Sequence, residues 1–143
     1  MTNAYYDIKY YHASFQELKI ILAQPDVEKK TEIHVTFFSG EEIFRIKREL
    51  YYTALWLYLS QTYKADDLTG PLFIVEDSAY LKQLSEESEH LIDAFYFKHY
   101  FIMDEDWSFD IASQQQPQVE LFINDVLIEV SACQWHKKKT FEK

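Results

Sequence analysis

Cys133 and His136 stand three residues apart in SACQWH, a thiol and an imidazole that could serve as nucleophile and base. A single cysteine beside a strand end is more often a small buried hydrophobe, and that is the reading adopted. Glu86 and His90 have the i, i+4 spacing that puts two ligands on one helical face, but no third ligand accompanies them and no His-x-x-x-His pair exists. Asp104 with Asp106, or Asp110, could supply carboxylates for acid–base work if burial or a neighbour tuned one of them. Three consecutive acids at Asp104, Glu105 and Asp106 read more simply as a solvated turn. With only Gly40 and Gly70 in the chain, glycine-rich phosphate loops are ruled out. No catalytic residue, metal or cofactor is assigned, and the expectation is a protein that is not an enzyme.

The constellation that stands out combines acids with aromatics. Trp107 directly follows Asp104, Glu105 and Asp106; Tyr80 follows Asp77; Tyr96 and Tyr100 neighbour the segment carrying Glu86, Glu87 and Glu89. Tyrosine and tryptophan are common interface anchors, and surrounding carboxylates would pair with Lys or Arg of a partner. The candidate partner-binding residues are therefore Asp104, Glu105, Asp106, Trp107, Asp110, Glu86, Glu87, Glu89, Asp77 and Tyr80. The competing reading makes the aromatics core and the acids a solvated rim, and the alternation of Trp107 with Phe109 suggests burial for that residue. Charge is uneven along the chain. Its net value is −10, yet residues 1–65 balance eight acids against eight bases, whereas residues 66–129 hold fifteen acids against Lys82 and Lys98, a balance of −13. Such a field repels nucleic acid and anionic membrane and attracts basic surfaces.

The elements that must position these residues follow from periodicity. Alternation at Tyr6, Ile8 and Tyr10 predicts a strand, although Ile8, Tyr11, Phe15, Leu18 and Leu22 also fit a helical stripe. Ser14 and Glu17 have capping-box spacing, which favours a helix from Ser14 to about Gln24. Residues 31–38 alternate as a strand. Ser39 and Glu42 repeat the capping-box spacing and open a long central helix over 41–63, with Ile43, Ile46, Leu50, Ala54 and Leu57 as its main stripe. A strand at 72–75 and a third helix, capped by Asp77 or Ser78 and running to about Asp93, come next. Four strands then follow within 97–130, with Pro117 breaking the pattern and Asn124-Asp125 fit for the positive φ of a tight hairpin. The expected fold is α+β: an antiparallel β-meander of the C-terminal four strands within a mixed sheet, packed against about three helices.

Length and composition predict one domain over 1–136, with 137–143 as a basic, frayed tail. No apolar run of eighteen residues and no signal-peptide order occur, so a soluble cytoplasmic protein is expected, in keeping with a single cysteine.

In size, acidity, glycine poverty and layout over the whole chain, the sequence resembles the immunity proteins that neutralise bacterial toxins, including those of contact-dependent inhibition. The resemblance implies one-to-one binding to a toxin domain, often a nuclease with a basic cleft, and transfers no individual residue. Two other classes compete. A nucleic-acid mimic that inhibits a defence enzyme, as phages encode, would share the electrostatics. A small-molecule-binding or enzymatic α+β domain would instead show a pocket lined by Tyr, Trp and His beside a buried carboxylate.

Overall fold

In the computed structural model the described residues are 6–24, 28–38, 42–48, 72–89, 91, 93, 96–104, 107–130 and 136–139. They form two five-stranded sheets and, among the described residues, one α-helix. The first sheet has the order β1 (Asp7–Ala13), β2 (Leu18–Ala23), β3 (Thr31–Phe37), β8 (Gln118–Ile123), β9 (Val126–Val130). The second runs β10 (His136–Lys139), β5 (Leu72–Glu76), β6 (Lys98–Met103), β7 (Trp107–Ser113), β4 (Ile43–Arg48). All pairs are antiparallel except β10 with β5. The helix α1 (Ala79–Glu87) follows β5 directly.

One apolar cluster joins the two sheets. Leu18, Ile20, Leu22, Ile33, Val35, Phe37 and Val119 come from the first, and Leu72, Tyr100, Ile102, Phe109 and Ile111 from the second. Phe37 meets Tyr100 edge-on across the interface at 5.3 Å between ring centroids, a favoured aromatic geometry. The opposite face of the second sheet is covered at one end by α1, whose Tyr80 and Leu81 pack with Ala112, Ile43 and Phe97. Strand β6 is therefore buried on both faces, and all its residues after Lys98 lie inside.

This mostly-β architecture corrects the α+β expectation in three places. The helix expected from Ser14 is instead a hairpin turn and β2. Ser14 Oγ accepts from the backbone N–H groups of Gln16 and Glu17, and Ser14 N–H donates to the Glu17 carbonyl, so the cap chemistry closes a turn. Leu18, Ile20 and Leu22 then bury their side chains at the period of a strand, against the sheet core. The long helix expected over 41–63 begins as strand β4. Phe44 and Ile46 face the core while Ile43 and Arg45 face α1, a two-sided pattern that a helical stripe also fits. Residues 49–63, with Leu50 and Leu57, lie outside the described residues. The third helix is shorter than expected, spanning Ala79–Glu87.

The C-terminal meander is corrected as well. Its four strands exist, but β6 and β7 belong to one sheet and β8 and β9 to the other, because the Gln114–Pro117 link crosses between layers. The Asn124-Asp125 hairpin has the backbone its residues suggest, with φ of 50° and 65°. Asn124 also exchanges hydrogen bonds with Lys30, tying this turn to the start of β3. His136–Lys139, which include the first three residues of the tail expected to fray from 137, extend the second sheet as β10.

Candidate functional site

Two places carry functional side chains: a buried polar chain beneath α1, and the exposed surface of α1 with the residues after it.

The polar chain starts where β5 turns into α1. Asp77 takes a left-handed conformation at φ 52°, one that aspartate tolerates better than most residues, and turns the chain sharply into the helix. Ser78 is the N-cap. Its Oγ accepts from Leu81 N–H at 3.0 Å and lies 2.7 Å from His99 Nδ1. His99 Nε2 in turn lies 2.7 Å from Asp110 Oδ1, while Arg45 Nε donates to Asp110 Oδ2 at 2.8 Å. Arg45 stacks over the Tyr80 ring at 4.4 Å, and the Tyr80 hydroxyl reaches the Ile43 carbonyl. Ser78, His99, Asp110 and Tyr80 are all buried.

Charge and burial compete at these groups. Burial pushes the Asp110 carboxyl upward, but hydrogen bonds and charge from His99 and Arg45 outweigh it and hold the group below the usual carboxylate range. Asp110 is thus an anion that only accepts, so His99 carries its proton on Nε2, and in the neutral ring Nδ1 accepts from the Ser78 hydroxyl. Burial, reinforced by the Asp110 charge and opposed by Arg45, pushes the Tyr80 phenol up to about 12. An open cleft of about 640 Å³ borders the chain; Ser78 and His99 line it together with the apolar Val75, Leu81 and Phe97 and the charged Glu76, Asp77, Lys82 and Lys98.

The structure separates the ten residues named as partner-binding candidates. Glu86, Glu87, Glu89 and Asp77 are exposed, and they lie in α1 or within two residues of its ends. Trp107 is partly exposed but opens β7 at the far end of the β6–β7 hairpin, away from the end that α1 covers. Asp104, Asp110 and Tyr80 are interior and present no surface to a partner. Asp104 accepts from Ile8 N–H at 2.7 Å through one oxygen and from Trp107 N–H through the other at 2.6 Å, so it ties the first sheet to the second. Glu105 and Asp106 lie outside the described residues, as do Cys133 and His90. Among the described residues no group of three His, Cys, Asp or Glu side chains could hold a metal, and no helix is long and apolar enough to cross a membrane.

Sequence reasoning passed over His99 and Arg45. A signal existed: His99 interrupts the apolar face of Phe97, Phe101 and Met103, and a polar residue on a buried face needs a partner. Finding that partner required the strand register, which sets Asp110 opposite Phe101, one pleat along from His99, and Arg45 opposite Asp110.

A second buried carboxylate, Glu32 on the outer face of the first sheet, is bound by His34 and Lys9 at 3.0 and 2.9 Å. Burial raises its pKa, but these partners bring it below the usual range. No protein-family description, curated protein or solved structure matches this chain.

Proposed function

We propose that this protein acts by binding a basic protein partner through the acidic face formed by α1 and the segment that follows it. The observation that carries this reading is the make-up of that surface. Glu76, Asp77, Glu86, Glu87, Glu89 and Asp93 are exposed there. Leu91, 90% exposed, and Tyr96, 66% exposed, lie in the same stretch. Large apolar side chains rimmed by carboxylates suit a partner that offers Lys and Arg around an apolar patch. The backbone adds a second support. Glu89 occupies the position after the Ser88 C-cap with φ 54°, where glycine is the usual and least costly residue. A glutamate held in that conformation costs about 1 kcal/mol, and strained positions of this kind cluster where a side chain is used.

A toxin domain with a basic substrate cleft, met in the cytoplasm and bound one to one, fits such a face. The acids would occupy or border the cleft and block it. Asp104, Asp110 and Tyr80, being interior, are left out of the proposed interface, which takes Asp77, Glu86, Glu87 and Glu89 from the candidates and adds Leu91 and Tyr96.

The test is a pull-down from the native cell followed by association kinetics. The expected partner is basic, its association rate falls at least about tenfold from low to high salt, and the triple reversal of Glu86, Glu87 and Glu89 to Lys weakens binding without lowering stability. Glu89→Gly separates function from folding: it should stabilise the domain by about 0.5–1 kcal/mol while weakening the complex. An acidic partner, a salt-independent rate, or full affinity in the triple variant would refute the reading.

A further inference from the structure

We propose that Ser78 is an acylatable serine, activated by His99 and Asp110, and that the adjoining cleft admits carboxylic esters with a compact apolar acyl group. The inference goes beyond partner binding and does not rest on it. Three residues from three elements meet in series: Ser78 at the β5–α1 turn, His99 on β6 and Asp110 on β7, joined by contacts of 2.7 and 2.7 Å. This is the order of nucleophile, base and orienting carboxylate, recognised by geometry and role and not by sequence position. The ring nitrogens are used in the sense that Nδ1 faces the hydroxyl and Nε2 faces the carboxylate.

The surroundings supply what the series lacks. Ser78 sits on a sharp strand-to-helix turn forced by the left-handed Asp77, which projects its hydroxyl beside the helix N-terminus. Leu81 N–H occupies one acceptor site of Oγ, and the other remains for attack. The N–H groups of Ala79 and Tyr80 belong to the first turn, where a helix provides no internal acceptors, and a developing oxyanion would draw on donors of that kind. The cleft of about 640 Å³ is lined by both Ser78 and His99, with Val75, Leu81 and Phe97 among its apolar residues, a size suited to a small ligand. A cap that only fastened the helix would not need a histidine oriented by a carboxylate beside it.

The reaction balances without a cofactor. His99 Nδ1 takes the Ser78 proton as Oγ bonds to the ester carbonyl carbon, and collapse of the adduct breaks the carbon–alkoxy bond. The same Nδ1 returns its proton to the departing alkoxide, releasing an alcohol. Water then attacks the acyl-serine, gives a proton to Nδ1, and the acid leaves as Ser78 recovers its hydrogen. Ester and water become acid and alcohol, with no change of oxidation state.

The test treats the full chain with a fluorophosphonate probe and reads the intact mass and the modified peptide. One adduct per chain, mapped to Ser78, is the expected result. His99→Gln should slow labelling by about a hundredfold or more, and p-nitrophenyl acetate hydrolysis should fall in parallel. Circular dichroism and melting establish that the variant is folded; if it is not, the position of the wild-type adduct decides alone. Absence of an adduct on folded protein, an adduct elsewhere, or equal labelling of a folded His99→Gln variant would overturn the proposal. None of those outcomes touches the acidic face, whose test uses different residues.

Discussion

Replacing Asp110 with alanine is the sharpest test of the buried chain as a physical unit. The carboxylate is 6% exposed in its side chain and serves two donors, His99 Nε2 and Arg45 Nε. Removing it strands the buried His99 donor without an acceptor, at a cost of about 1–3 kcal/mol. It also breaks the Arg45–Asp110 ion pair, and breaking a buried pair costs about 3–5 kcal/mol. Arg45 is 26% exposed in its side chain, so water replaces part of what is lost and the lower end of that range applies. The two effects overlap because one carboxylate serves both, and the expected loss is about 3 kcal/mol, or about 6–12 °C in Tm for a domain of this size. The pH dependence gives a second check. Because the folded-state pKa of Asp110 is depressed, its contribution is present above the ordinary carboxylate value of 3.8 and is lost as pH falls through the lower folded value. The gap between wild type and Asp110→Ala, measured by urea denaturation, should therefore hold from pH 7 to about pH 5 and narrow below pH 4. A loss under about 1 kcal/mol at pH 7, or a gap that does not narrow in acid, would refute the account of Asp110 as an interior anion clamped by two donors.

Asp104→Asn keeps the shape but replaces one accepting oxygen with a donor facing a backbone N–H. It should cost about 1–3 kcal/mol by urea denaturation, whereas a solvated turn residue would cost almost nothing. Tyr80 should ionise late, since its folded pKa stands at about 12 against an ordinary 10.0. Its contribution is complete below pH 10 and lost as pH rises towards 12, so stability should fall in that window, and Tyr80→Phe should remove that part of the slope, as followed by ultraviolet absorbance and melting.

Local sequence determined the parts of this protein whose cause is local. Alternation marked β3 and the strands from Lys98 to Val130, because a pleated strand returns side chains to one face every second residue. Asn124-Asp125 specified its turn, since both residues accept positive φ. A cap at Asp77 or Ser78 was legible, the structure using Ser78, and the excess of acids between residues 66 and 129 was open to counting. The same local signals misled where two structures satisfy them equally. Ser14 can cap a helix or close a hairpin, and Ile43, Phe44 and Ile46 can make a helical stripe or an edge strand half-buried on both faces. Only the packing of two sheets against each other chose the strand in each case. Tertiary structure also decided which acids are surface and which are interior. Asp104 and Asp110 look alike in sequence to Glu86 and Glu87, but a carboxylate enters the core only where donors from distant elements meet it. Ile8 lies 96 residues from Asp104, and Arg45 lies 65 from Asp110. The meeting of Ser78, His99 and Asp110 has the same origin: three residues on separate elements become a relay only through the register of β5, β6 and β7.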